Sequence, residues 1–428
     1  MTDTRLQSET PMERLYARYD VESPVPLARV AETIAGEQSC GTFMRLPGET
    51  DTLRDRAGAR VEEIVETGSS PTPSLPCRTT GSLYRRGELL LSWPVDNIGP
   101  SLTNALATVA GNLFELAEVS ALRLLDVTFP ESFSRAYAGP AFGVAGTRRL
   151  AGVHDRPMIG TIIKPSVGLS PDETAAVVGE LVAGGIDFIK DDELQADGPN
   201  CPFEARVDAV MRVVNDNAQR TGRKAMVAFN ITGEVDEMKR RADNVVAAGG
   251  TCIMVSLHSV GLAGLGAIRR HASLPLHCHR NGWGLFSRSP DIGISYEAWQ
   301  KFWRIAGADH LHVNGLANKF SEGDASVMAS ARAVGMPLFG QETPFSCLPV
   351  FSSGQTAAQV EPTYRTLGTP DFLYCAGGGI MGHPLGVAGG VASLRQAAEA
   401  AMAGIAIDEH AKNHPELAAA LALFQDKR

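Results

Sequence analysis

Gly184-Gly185-Ile186-Asp187-Phe188-Ile189-Lys190-Asp191-Asp192-Glu193 is an apolar, strand-like run that ends in four consecutive charged residues. Alternation with period two predicts that Phe188, Lys190 and Asp192 share one face, and Ile189, Asp191 and Glu193 the other. A buried strand holds such charges only with partners, because unpaired burial is costly. Two readings are open at this point. One is a solvated strand end with Lys190 salt-bridged to a neighbour; the other is a site for a hard cation such as Mg²⁺, which takes clustered carboxylates.

The run lies in a region of regular rhythm. From residue 158 onward strand-like segments are predicted over 158–165, 187–194, 225–232, 252–258, 275–281, 310–315, 348–354 and 371–379. Helical patterns separate them at 171–183, 202–222, 235–248, 262–272, 296–306, 325–334 and 360–367, and a last helix covers 387–404. Ser170, Pro171 and Glu173 open the first helix as a capping box with proline at the first helical position. Eight strand–helix units are the signature of a (β/α)8 barrel. An open doubly wound sheet would carry a glycine-rich first turn, which is absent.

The region before it reads as α+β. Strands are predicted at 15–21, 59–65, 88–94 and 121–129, helices at 26–38 and 104–111, and a Ser/Pro/Thr/Gly-rich loop at 67–80. Residues 131–155, with Gly139, Pro140, Gly143 and Gly146, read as a linker. The predicted fold class is α/β, with an α+β N-terminal domain (1–145) followed by a C-terminal (β/α)8 TIM barrel (146–428).

Composition narrows the function. With 428 residues, 44% hydrophobic and 20% charged, the chain suits a large barrel with an added module. A net charge of −9 argues against nucleic acid as partner. Seven scattered cysteines without a CxxC pair fit a reducing compartment. No apolar run reaches the ~20 residues of a membrane helix, and the first ten residues carry no secretory apolar region. A soluble, cytoplasmic protein is expected, with no membrane partner.

Chemistry in such barrels sits at the C-terminal strand ends, where the unusual residues here recur. Strand one ends at Lys164-Pro165-Ser166 and strand two in the charged run. Strand five ends His277-Cys278-His279-Arg280, and strand six reads His310-Leu311-His312. Strand seven ends Ser352-Ser353-Gly354, and strand eight Gly377-Gly378-Gly379. Singly, each has a plain alternative: Lys164 a surface cap, the glycines a tight turn. The His-x-His pairs are open between zinc ligands and satisfied core histidines. Together they suggest Mg²⁺ on the carboxylates polarising a carbonyl, Lys164 abstracting an α-proton, and anionic substrate groups on Arg280 and His312 and on the glycine turn.

The charged run resembles the activation motif of the RuBisCO large chain. Gly-Thr-Ile-Ile-Lys-Pro (160–165), His-Cys-His-Arg (277–280), Asp-His-Leu-His (309–312), Gly-Gly-Gly-Ile-Met-Gly-His-Pro (377–384), Glu37 to Thr42 and Gly111-Asn112 also fit. The resemblance implies that CO₂ carbamylates Lys190, which then binds Mg²⁺ with Asp192 and Glu193. It makes Lys164 the general base and His279 a partner for substrate hydroxyls. Arg280, His312 and Ser352, beside Gly354, would hold one phosphate, and Gly377, Gly378 and Thr42 the other anionic end. Lys319, in the loop after strand six, would close over the carboxyl group being handled. Glu37, Thr42 and Asn112 would come from the partner copy of a homodimer.

Departures from the carboxylase pattern point to the RuBisCO-like, non-carboxylating branch. Ser166 stands where carboxylases carry a second lysine, Ile162 for a threonine, Ser353 for a glycine and Phe43 for a tryptophan. Retention of Lys164 and Lys319 suits chemistry in which a carboxyl group leaves or moves. The expected reaction is Mg²⁺-dependent enolate formation from a phosphorylated keto sugar or 3-oxo sugar acid, such as 3-oxo-isoapionate 4-phosphate, with decarboxylation or carboxyl transfer. The alternatives are an enolase or isomerase of methylthio-sugar phosphates, a true ribulose-bisphosphate carboxylase, and a degenerate binding protein. A metal-dependent amidohydrolase is disfavoured, since its His-x-His belongs on the first strand. The enolase superfamily is disfavoured because its ligands are spread over several strands.

Overall fold

The computed structural model describes residues 12–41, 46–340 and 344–425. It divides into two compact units: Met1–Tyr137 with Leu285–Phe302, and Ala138–Gly284 with Trp303–Arg428. Among the described residues, no helix is long and apolar enough to cross a membrane.

In the first unit, strands β1 (Arg14–Ser23), β2 (Arg60–Ser70), β3 (Tyr84–Pro94) and β4 (Ala121–Thr128) pair antiparallel. A later strand, β10 (Ile292–Ile294), adds parallel to β4, giving the order β10-β4-β1-β3-β2. Leu15, Ala17, Tyr19 and Val21 alternate along β1 onto one buried face. The helix Leu27–Glu37 contributes Val30, Ala31 and Ile34 to the core. Strand β2 extends to Ser70, into the segment predicted as loop.

The second unit is a closed barrel of eight parallel strands. In chain order these are β5 (Met158–Ile162), β6 (Phe188–Lys190), β7 (Met226–Asn230), β8 (Cys252–Ser256), β9 (Leu276–His279), β11 (His310–His312), β12 (Leu348–Phe351) and β13 (Leu373–Cys375). Alternation decides what lies inside. Phe188, Met226, Ala228, Cys252, Met254, Leu348, Val350, Leu373 and Cys375 form the apolar core. One step of two further along β6 brings Lys190 onto the same face as Phe188. On β9 and β11, His277, His279, His310 and His312 point inward. The Phe188 ring lies 5.0 Å from that of His277 and 6.1 Å from that of His310.

Two expectations are corrected. Strand β6 ends at Lys190 after three residues. The alternation that put Glu193 on the opposite face from Lys190 therefore stops, and Glu193 Oε2 comes to 3.7 Å from Lys190 Nζ. The glycine-rich stretch read as linker also holds two helices, Glu131–Ala136 and Gly143–Ala151. The second is closed by Gly152 in the left-handed region (φ 64°).

The start of that second helix is held by a distant carboxylate. Asp309 Oδ1 accepts the N–H groups of Phe142 (2.6 Å) and Gly143 (2.9 Å), while Oδ2 accepts from Leu276 N–H (2.8 Å) and the Arg269 guanidinium (2.9 Å). One buried side chain thus fixes a helix start, the first residue of β9 and an arginine. Asp309→Ala would strand Arg269 and three backbone donors, and should destabilise the protein by about 3–5 kcal/mol in urea denaturation.

Candidate active site

The strand ends bring Lys164, Lys190, Asp192, Glu193 and His279 together. Lys164 lies two residues beyond β5, and its Nζ donates to Asp192 Oδ2 (2.6 Å) and Ser166 Oγ (2.7 Å). Lys190 has no solvent exposure; its Nζ donates to the Asp191 carbonyl at 2.6 Å. Burial lowers the Lys190 pKa, against the pull of the Glu193 and Asp192 carboxylates. Burial pushes the Asp192 carboxyl up, but the Lys164 hydrogen bond, the Leu194 N–H and the Lys190 charge together hold it below the usual range. His279 Nε2 is 3.6 Å from Glu193. Burial, then the Lys190 cation, lower the His279 pKa to about 4.

Asp191, with Arg206 and Asn230, which the sequence did not single out, holds this group in place. Asp191 turns away from Lys190 to pair with Arg206 (3.2 Å), both residues being buried, and accepts the Asn230 N–H at 2.9 Å. Asn230, the last residue of β7, donates its side-chain amide to the carbonyls of Asp192 and Glu193, at 3.2 Å each. A buried arginine on the helix Phe203–Thr221 and an asparagine at a strand end were the available signals.

The anion-binding candidates fall into a second group. His312 Nδ1 is 3.1 Å from Ser352 Oγ. Arg280 is buried, but its Nη2 pairs with Glu322 Oε2 at 2.6 Å. Glu322, in the loop after β11, also accepts from Asn314 Nδ2 (2.6 Å) and Ser326 Oγ (2.9 Å), and was not foreseen. Ser353 and Gly354 are both left-handed (φ 76° and 82°). The serine in the family's glycine position keeps that backbone form and donates to Asn314 Oδ1 at 2.9 Å. Gly377 and Gly378 follow β13 at the start of the short helix Gly377–Met381; a Cβ on Gly377 would sit 3.8 Å from Lys164 Cε.

Other candidates stand apart. Lys319 is exposed, its ammonium 5.3 Å from the centre of the Phe320 ring. Among the described residues, no hydrogen bond or ion pair joins its side chain to the Lys190 group. Glu37 and Asn112 are exposed on the N-terminal unit. Thr42 and Phe43 lie outside the described residues.

Comparison with known proteins agrees with the fold. Residues 143–424 match the family model of the ribulose bisphosphate carboxylase large chain, catalytic domain, and residues 11–133 that of its N-terminal domain. The chain belongs to the RuBisCO large-chain family. Within it, the chain is 59% identical over 413 residues to a 3-oxo-isoapionate-4-phosphate transcarboxylase/hydrolase of Xanthobacter autotrophicus, covering 96% of this chain and 100% of that one. It is 43% identical to a 3-oxo-isoapionate-4-phosphate decarboxylase of Rhizobium etli, over 95% and 98% of the two chains. The crystal structure of a RuBisCO-like protein from Burkholderia fungorum superposes with a TM-score of 0.90 at 46% identity, covering 96% and 100%. The chain is thus a RuBisCO-like protein with enzymes among its near relatives.

The oxygen-rich set Asp192 and Glu193 suits a hard cation, and a carbamate on Lys190 would add a third oxygen ligand. Addition of CO₂ requires the neutral amine, which burial of Lys190 favours. The other grouping, Glu399 with His410 and His414, brings ligand atoms within 4.8 Å. Its two imidazoles stack at 3.8 Å and 18°, so no single cation can lie in both ring planes.

The buried imidazoles also make stability depend on pH. Burial first lowers the pKa of His310 to about 3 and of His277 and His312 well below 6.5. The unfolded chain, with ordinary imidazoles, binds more protons below pH 6.5, so stability falls as pH drops from 6.5. The urea midpoint should decline between pH 7 and 5, and less so in His310→Phe.

Proposed function

We propose that this protein acts on a phosphorylated 3-oxo sugar acid of the 3-oxo-isoapionate 4-phosphate type, forming an enolate with loss or transfer of its carboxyl group. The observation that carries the reading is a fully buried Lys190 beside Asp192 and Glu193, with Lys164 in hydrogen-bond contact with Asp192. The relatives' activities on that compound support it.

Lys190 as its carbamate, Asp192 and Glu193 would hold Mg²⁺, which when bound would draw electron density from the substrate's oxo group. Loss of CO₂ from a 3-oxo acid breaks the bond to the carboxyl carbon and leaves that electron pair in the enolate. The carbon then needs a proton, which the Lys164 ammonium would give. Run in the other direction, the Lys164 amine removes a proton from carbon. His279 would hold a substrate hydroxyl. Arg280, released from Glu322, would bind the phosphate with His312 and Ser352, and Gly377 and Gly378 the second anionic end. Lys319 would close over the departing carboxyl group. Glu37, Thr42 and Asn112 of a second copy would complete the site of a homodimer. A related archaeal RuBisCO from Hyperthermus butylicus, 30% identical with a TM-score of 0.83 over 96% of each chain, is dimeric.

Lys190→Ala should abolish Mg²⁺ uptake by calorimetry and CO₂ release from 3-oxo-isoapionate 4-phosphate together. A metal-free Lys190→Ala protein that still turned over would sink the reading. Lys164→Ala should keep Mg²⁺ binding and lower kcat by about 10²–10⁴-fold, the range of a lost proton-transfer group. Solvent deuterium exchange into a methylthio-sugar phosphate, without CO₂ release from the sugar acid, would favour the isomerase reading instead.

A further inference from the structure

His277 and His310 lie in the middle of the barrel and have no part in the proposed chemistry, yet they join one continuous row. Ser352 Oγ is 3.1 Å from His312 Nδ1, His312 Nε2 is 2.8 Å from His277 Nε2, His277 Nδ1 is 3.3 Å from His310 Nδ1, and His310 Nε2 is 2.8 Å from Thr147 Oγ1. Thr147 Oγ1 in turn donates to the Gly143 carbonyl at 2.5 Å. Every member is buried, the most exposed being Ser352 at 7%.

Proton counting gives the row a direction. Deep burial keeps all three rings neutral, and a neutral imidazole donates from one nitrogen and accepts at the other. The single hydroxyl proton of Thr147 is committed to Gly143 O, which can only accept. Thr147 Oγ1 must therefore accept from His310 Nε2–H. His310 Nδ1 then accepts from His277 Nδ1–H, and His277 Nε2 from His312 Nε2–H. His312 Nδ1 is left as an acceptor for the Ser352 hydroxyl.

We propose that Thr147 is a positioning residue that sets the direction of this row, so that the Ser352 proton is turned inward onto His312. The direction of the row is independent of what the enzyme turns over; its consequence for anions rests on Ser352 belonging to the phosphate site proposed above. In this direction Ser352 offers a bound anion lone pairs in place of a proton, which leaves the attraction to Arg280. In Thr147→Val the His310 Nε2–H would face a methyl group. An unpaired buried donor is costly, and reversing the whole row leaves only a lone pair there. Reversal would turn His312 Nδ1–H onto Ser352 and free the serine proton for the anion.

Two-bond proton–nitrogen correlation spectra of ¹⁵N-histidine-labelled protein read the tautomers directly. The expected pattern is Nε2–H for His310 and His312 and Nδ1–H for His277, retained in Thr147→Ser and reversed in Thr147→Val. Inorganic phosphate, titrated by calorimetry, should bind Thr147→Val about 3- to 10-fold more tightly, the worth of one added hydrogen bond. A wild-type His312 with its proton on Nδ1, or unchanged tautomers in Thr147→Val, would overturn the proposal. Reversed tautomers with unchanged phosphate affinity would overturn the link to Ser352. If Thr147→Val does not fold, the wild-type and Thr147→Ser spectra still decide the direction. Absence of sugar-acid turnover with the expected tautomers would count against the proposed function alone.

Discussion

The constraint on which the site depends is the burial of Lys190 at the end of a strand only three residues long. An ammonium there needs partners, and burial lowers its pKa against the pull of the Glu193 and Asp192 carboxylates. The chain beyond it is bent to suit. Asp191 is drawn outward by Arg206 and the Asn230 N–H. That leaves its carbonyl to accept from Lys190 and lets Asp192 and Glu193 return to the barrel mouth. The Asp191–Arg206 pair is buried on both sides, so losing either partner would leave an uncompensated charge.

Charges facing the mouth are engaged by opposite charges of the same chain. Lys164 sits on Asp192, and Arg280 on Glu322. Binding at such a site is an exchange. A cation on Asp192 would compete with Lys164, and a phosphate on Arg280 would compete with Glu322, in the loop that also carries Lys319.

Most of the barrel was legible because its signals are local. Eight strand-like segments, six of them ending in residues odd for a strand, placed the fold and the rim from 158 onward. What escaped was carried by contacts distant in sequence. The helix Gly143–Ala151 begins on glycine and reads as a breaker, yet Asp309, more than 160 residues away, supplies the cap its own sequence lacks. Glu322 looks like a solvated loop acid until the fold brings Arg280 beside it. The opening alternation failed at Glu193 for a local reason: period two holds only while the strand lasts, and nothing in the run of four charges marks Lys190 as its last residue.

The histidines show the limit most clearly. Two His-x-His pairs on neighbouring strands must face the same way, which the sequence states; whether they bind metal or one another depends on where their protons lie. Here the rings bond to each other, and the partner that settles their direction is Thr147, on the helix that sequence reading took for linker. Ser166 follows a similar logic. Where the family pattern has a second lysine, this chain has a hydroxyl that accepts from Lys164. A second ammonium at that place would repel Lys164 and compete for Asp192. Serine removes the competition and leaves Lys164 as the basic group paired with Asp192.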